Sequence, residues 1–63
     1  MINIKLQRIK KHLTQKELAE KVGVEEWSIS RYETGVYCPP VVVLIKLAEV
    51  LDTTIDYLVK EGD

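Results

Sequence analysis

Two closely spaced helix boundaries constrain the fold of this chain more than any other feature. Thr14 and Glu17 have the spacing of a capping box, in which the threonine hydroxyl accepts a backbone N–H and the glutamate reaches back to the N-cap N–H. Gly23 follows, and glycine adopts at little cost the left-handed conformation that ends many helices. The pattern therefore predicts a helix of only about two turns between Thr14 and Gly23.

A second short helix is predicted directly afterwards. Val24, Ile29 and Tyr32 lie on one helical face, and Gly35 supplies the next stop signal, so this helix covers residues 25–34. Only a short turn containing Gly23 separates the two helices. Two short helices joined by such a turn are typical of a helix-turn-helix, whose second helix enters the major groove of DNA.

The spacing of apolar residues predicts three further helices. The first has an apolar face that we expect to lie against the core, formed by Ile2, Leu6, Ile9 and Leu13. The fourth covers residues 41–51 and follows a loop that ends at Pro40, a residue suited to a first helical turn. Its predicted inward residues are Leu44, Leu47, Ala48 and Leu51. Thr54 can cap a fifth helix that begins at Ile55. Because no segment has the alternation of a β-strand, the sequence predicts an all-α, five-helix single domain over residues 1–63.

The scarcity of reactive side chains argues against catalysis and metal binding. Among 63 residues the chain has one cysteine, Cys38, and one histidine, His12, so neither a nucleophile with its base nor a multi-cysteine metal site can be assembled. No apolar run is long enough to cross a bilayer or to form a signal peptide. We therefore expect a cytoplasmic protein that is not an enzyme, with no metal, cofactor, membrane or small-molecule substrate among its partners.

Charge is divided unevenly along the chain. The net charge is -1, which by itself argues against a polyanionic partner. However, residues 1–21 contain six lysines and arginines against two glutamates, whereas residues 22–63 contain three basic and eight acidic residues. The N-terminal third of the chain is therefore basic enough to lie near phosphates.

The spacing of the whole pattern resembles the Cro/cI-type, or XRE-like, helix-turn-helix family of phage repressors and bacterial transcriptional regulators. The residues that carry the resemblance are Leu13, Thr14, Gln15, Leu18, Ala19, Val22, Gly23, Val24, Ile29, Ser30, Arg31, Tyr32, Glu33, Gly35, Pro39, Leu44, Lys46, Leu47, Ala48 and Leu51. The resemblance implies a lambda-repressor-like fold. It also implies a sequence-specific regulator of transcription that binds double-stranded DNA as a homodimer. The regulation that we expect is repression.

The resemblance also implies roles for three residues of the first three helices. Arg8 and Glu33 match family positions that form an ion pair between the first helix and the end of the recognition helix. Gln15 matches a glutamine that reaches phosphate or base from a helix N-terminus, a place suited to anions. We expect the ion pair to be structural and Gln15 to contact DNA.

Candidate base-reading residues lie on the outward side of the third helix, because its apolar residues occupy the inner side. Arg31 can pair with guanine, Glu26 can accept from cytosine, and Trp27 can lie against a thymine methyl group or the sugar backbone. Ser30 can hydrogen-bond to either strand. The predicted DNA-binding set is Gln15, Lys16, Glu26, Trp27, Ser28, Ser30, Arg31, Thr34 and Tyr37.

Two departures from the family pattern leave a second function open. Glu25 and Glu26 place carboxylates at the front of the recognition helix, where they repel phosphates. The following loop offers Tyr37 and backbone N–H groups in place of basic side chains. Together with Trp27 and the net acidity, these features suit the alternative of a protein-interaction module, antitoxin-like or regulatory, on the same scaffold.

An apolar run at the start of the fourth helix predicts a partner surface. Successive residues on a helix are about 100° apart, so three consecutive valines cannot all face one core. At least one of them must be exposed or covered by another chain. We therefore predict a homodimer interface built from helices four and five, formed by Val41, Val42, Val43, Ile45 and Ile55.

Overall fold

A computed structural model describes residues 1–60, so the last three residues of the predicted 1–63 domain lie outside the described part. Its five helices are α1 (Ile2–Lys10), α2 (Gln15–Val22), α3 (Glu26–Thr34), α4 (Val41–Val50) and α5 (Ile55–Val59). Residues 1–60 contain no β-strand. The all-α, five-helix prediction is confirmed.

The boundaries of α2 follow from the predicted capping signals. The Thr14 hydroxyl accepts the Glu17 N–H at 3.0 Å, and the Glu17 carboxylate accepts the Thr14 N–H at 2.8 Å. The Thr14 backbone N–H, which donates to the Glu17 carboxylate, is the main cause that holds the pKa of Glu17 below its ordinary value, and the Thr14 side chain lowers it further. At the other end, Gly23 has a φ of 87° and its N–H donates to the Ala19 carbonyl. Both signals are confirmed, and they leave three residues between α2 and α3.

The boundaries of α3 and α4 differ from the prediction by one residue. Glu25 is the extended N-cap of α3, and Pro40 is the extended N-cap of α4. The sequence predicts Pro40 in the first turn of α4, whereas in the structure Pro40 is the residue just before that turn. Leu51 is the C-cap of α4, and its side chain is fully buried.

Side chains from all five helices form the core, and the predicted inner residues of α2, α3 and α4 reach it. Ile29 and Tyr32 of α3 are buried, and Val24 is half-buried against them. The same holds for the inner residues predicted on α2 and α4, which are Leu18, Ala19, Val22, Leu44, Leu47, Ala48 and Leu51. Periodicity therefore identified the correct face of all three helices.

The predicted inner face of α1 is wrong. Ile2, Leu6 and Ile9 are exposed, and only Leu13, beyond the end of the helix, packs against the core. The buried residues of α1 are Asn3, Ile4 and Gln7, of which Ile4 is fully buried.

Buried amide groups explain this orientation of α1. Asn3 Nδ2 donates to the carbonyl oxygens of Tyr57 at 2.8 Å and Lys60 at 3.0 Å. Gln7 Nε2 donates to the Leu51 carbonyl at 2.9 Å. These carbonyls belong to the ends of α4 and α5, where few intrahelical N–H donors remain, although the Tyr57 carbonyl also accepts the Lys60 N–H at 3.2 Å. Turning Asn3 and Gln7 inward satisfies these carbonyls and leaves the apolar stripe of α1 outside.

A buried ion pair fastens α1 to α3. Arg8 Nε lies 2.5 Å from Glu33 Oε2, and Arg8 Nη2 donates to Glu33 Oε1 at 3.3 Å. Arg8 Nη1 donates to the Leu13 carbonyl in the connection between α1 and α2. The Arg8 and Glu33 side chains are only 12% and 2% exposed, so each charge depends on the other for solvation.

We expect Glu33→Gln to lower the free energy of unfolding by about 3–5 kcal/mol, because it leaves the Arg8 guanidinium buried without its counter-charge. Asp52→Asn is the matched control, since it breaks the exposed Lys11–Asp52 pair. That substitution should cost only about 0–1 kcal/mol. Urea denaturation followed by circular dichroism measures both values. Equal, small losses for the two variants would contradict a structural role for the buried pair.

Candidate nucleic-acid interface

One surface of the molecule is formed by the start of α2, the outward side of α3 and the loop after α3. Lys16, Trp27, Arg31 and Tyr37 are exposed on it. Gln15, Ser28 and Ser30 are half-buried. Residues that are distant in the sequence are brought together here because the tight turn at Gly23 folds α3 against α2.

Gln15 is held in place by the same carboxylate that pairs with Arg8. Its Nε2 donates to Glu33 Oε1 at 2.9 Å, so the amide group is tied to the C-terminal part of α3. One N–H of the amide is used in this bond, which leaves the second N–H as a donor and the amide oxygen as an acceptor. Gln15 thus presents an oriented polar group at the N-terminus of α2, where backbone N–H groups favour an anion.

Arg31 lies against two aromatic rings. Its guanidinium carbon is 4.9 Å from the centroid of the Trp27 ring and 5.9 Å from that of Tyr37. Arg31 Nη1 also donates to the Trp27 carbonyl at 3.4 Å. These contacts restrict the side chain while its remaining N–H groups stay available, because a guanidinium carries five donors.

The sequence predicts Arg31, Trp27 and Tyr37 as separate DNA contacts and does not predict that the Arg31 guanidinium lies over both rings. The spacing of Trp27 and Arg31, four residues apart on one helix, was a usable signal for a side-chain contact. The contribution of Tyr37 depends on the path of the loop after Gly35, for which the sequence carried no comparable signal.

Hydroxyl groups line the edge of the α3 surface. The Thr34 hydroxyl lies 3.0 Å from the Ser30 carbonyl and 3.3 Å from the Arg31 carbonyl, and it donates back to the helix. Its oxygen can therefore accept a hydrogen bond but has no free proton to give a phosphate. Ser28 and Ser30 of the same helix are half-buried residues.

Lys5 borders this surface and was not among the predicted site residues. It lines a groove together with Gln15, Glu33, Thr34 and Gly35. Only the general basicity of the N-terminal part pointed to it. A cation beside Gln15 makes this end of the surface more favourable for a phosphate group.

The opposite end of the surface is acidic. Glu25 and Glu26 are exposed at the start of α3, and they line a shallow groove with Lys16 and Glu20 of α2. Lys16 lies beside these carboxylates, so its charge is partly opposed by theirs. The candidate interface therefore has an anion-attracting end near Gln15 and an anion-repelling end near Glu26.

The predicted dimer residues divide into two groups. Val41 and Val42 are 68% and 66% exposed, and Ile45 and Ile55 are exposed as well. Val43 is half-buried and packs against the core, so its side chain serves the fold of its own chain. The exposed valine surface therefore consists of Val41, Val42, Ile45 and Ile55.

Among residues 1–60, no group of three or more histidine, cysteine or carboxylate side chains can hold a metal ion. No helix in the same range is both long and apolar enough to cross a membrane.

Comparison with known proteins identifies the family. A sequence model of the helix-turn-helix family matches residues 4–58. YqaE of Bacillus subtilis (strain 168), named as an uncharacterized HTH-type transcriptional regulator, is 38% identical over 58 residues, which are 92% of this chain and 50% of that protein. YobD of the same organism, with the same description, is 39% identical over 46 residues, 73% of this chain and 41% of that protein. The chain thus spans half or less of the length of these relatives.

The match covers the helix-turn-helix itself and the helices on both sides of it. The resemblance seen in the sequence is thereby confirmed. The chain belongs to the Cro/cI-type, XRE-like helix-turn-helix family.

Proposed function

We propose that this protein is a sequence-specific, double-stranded-DNA-binding regulator of transcription that places α3 in the major groove. The observation that carries the proposal is the joint fixation of Gln15 and α3 by the Glu33 carboxylate. It orients a phosphate-binding end and a base-reading helix on one surface. The family match and the regulator names of both relatives support a DNA-binding regulator rather than an enzyme.

The two ends of the surface have different tasks in this proposal. Gln15, with Lys5 beside it, holds the DNA backbone through phosphate oxygens. Arg31 reads a guanine through O6 and N7, restrained by Trp27 and Tyr37 before DNA arrives. Ordering Arg31 in the free protein reduces the entropy lost on binding. The remaining predicted contacts are Lys16, Glu26, Ser28, Ser30 and Thr34.

We further propose that the regulator acts in the cytoplasm as a homodimer and represses transcription by occupying a palindromic site. The exposed valine surface supports the dimer, because Val41 and Val42 are apolar side chains more than half accessible to water. A two-fold pair of a helix-turn-helix protein sets its recognition helices about 34–36 Å apart, facing successive major grooves.

The alternative is a protein-interaction module that uses the same surface. Its supporting observation is the exposed group of Glu25, Glu26 and Trp27, which suits a basic or aromatic protein partner better than phosphate. The two functions predict different responses of DNA binding to salt and to removal of the Glu25 and Glu26 carboxylates.

Salt dependence separates the two functions. For a protein that contacts phosphates, the logarithm of the association constant falls linearly with the logarithm of the salt concentration. We expect such a slope in fluorescence anisotropy with duplex DNA. Replacing Glu25 and Glu26 together by glutamine should raise the affinity for non-specific DNA at low salt, because two repulsive charges are removed. A flat salt dependence, with no gain in the double variant, would favour the protein-interaction module.

Arg31 and Gln15 should differ in the kind of loss that their removal causes. Arg31→Ala should cost about 1–3 kcal/mol and relax the preference at one base pair, whereas Gln15→Ala should weaken binding to all sequences alike. Lys21→Ala is the matched charge control, since Lys21 lies at the opposite end of α2 from Gln15. Affinities for a panel of single-base variants of one site measure the difference. Equal, sequence-independent losses for Arg31→Ala and Gln15→Ala would overturn the assignment.

Val42→Glu should convert the dimer to a monomer without loss of helix content. Val42 is exposed in the single chain, so the substitution leaves the core intact while placing a charge in the proposed interface. Sedimentation measures the change, with Lys21→Glu, in the last turn of α2, as a control for added negative charge outside the proposed interface. If the wild type remains monomeric at high micromolar concentration both alone and on DNA, the dimer proposal is wrong.

A further inference from the structure

The outer side of α1 carries an apolar stripe that the fold does not use. Ile2, Leu6 and Ile9 are 42%, 50% and 52% exposed. Their positions correspond to the spacing of one helical face, and this face points away from the buried Asn3 and Gln7. Single exposed apolar residues are ordinary, but three that are aligned along a nine-residue helix form a continuous surface.

Lysines border the stripe on both sides. With about 100° between successive residues, Lys5 lies along one edge of the stripe and Lys10 along the other. Both are exposed, and within residues 1–60 neither has a carboxylate at salt-bridge distance. The described salt bridges use Arg8 and Lys11 instead. No acidic residue occurs in α1, so the face has an apolar centre and positively charged margins.

We propose that the outer face of α1 binds an amphipathic helix of another protein, in which an apolar stripe is flanked by acidic side chains. Apolar side chains of the partner would cover Leu6 and its neighbours, and carboxylates would pair with Lys5 and Lys10. A second copy of α1 does not fit, because its lysines would meet lysines. The stripe itself does not fit DNA, because Ile2, Leu6 and Ile9 offer nothing to a phosphate, although its edge residue Lys5 also borders the groove beside Gln15 that we assign to DNA. This surface is separate from the exposed valine surface on α4 and α5.

A matched pair of helical peptides tests the proposal. One carries leucines at the i, i+4 and i+7 positions flanked by glutamates, and the other has lysines in place of the glutamates. We expect the protein to bind the acidic peptide at least about tenfold more tightly than the basic one in fluorescence anisotropy. The double variant with Leu6→Gln and Ile9→Gln should bind the acidic peptide at least about tenfold more weakly, since glutamine preserves helix propensity and removes the apolar contact. Val42→Gln, on the valine surface, should leave the affinity for the acidic peptide unchanged.

Charge reversal gives a second, independent readout. Lys10→Glu should weaken binding of the acidic peptide and strengthen binding of the basic peptide. Lys46→Glu on α4 should change neither affinity. Lys10 is used because Lys5 also borders the groove beside Gln15. Circular dichroism confirms folding of each variant, and DNA binding should survive Leu6→Gln with Ile9→Gln.

Three results would overturn the proposal. The first is no binding of the acidic peptide up to about 1 mM, and the second is equal affinity for the two peptides. The third is self-association of the wild type that is abolished by Leu6→Gln with Ile9→Gln but not by Val42→Gln, because the occupant would then be a second copy of this chain.

Discussion

The Glu33 carboxylate joins the first three helices. It accepts hydrogen bonds from Arg8 of α1 and Gln15 of α2, and it is itself buried near the end of α3. Arg8 in turn holds the Leu13 carbonyl in the connection to α2. A buried charge is tolerated only when it is fully paired, so these contacts form or are lost together. The interaction that fixes α3 in the fold therefore also fixes the group that we assign to the DNA backbone.

Local chemistry was enough to predict most of the helices. The Thr14 capping box, the left-handed glycines Gly23 and Gly35, and the Thr54 cap of α5 each act over a few neighbouring residues. A signal of this kind can be read from a short stretch of sequence, because every atom it needs is nearby. The inner faces of α2, α3 and α4 were equally predictable, since their apolar residues outnumber the polar ones on the buried side.

The face of α1 and the geometry of the candidate site required the tertiary structure. Asn3 and Gln7 are buried where they donate to carbonyls more than forty residues away in the sequence, and periodicity does not register contacts at that distance. The restraint on Arg31 depends similarly on a loop that brings Tyr37 back to α3. Residue types at the site were thus readable from the sequence, whereas Lys5, the role of Glu33 toward Gln15 and the exposure of Leu6 were not.

Selection of bound fragments from a random pool of duplex DNA tests the central claim most directly. We expect enrichment of a two-fold symmetric site whose half-sites lie about one helical turn apart, each containing a guanine that the Arg31→Ala variant no longer selects. Enrichment of no sequence over the starting pool, under low-salt conditions in which the protein is folded, would contradict sequence-specific DNA binding by α3.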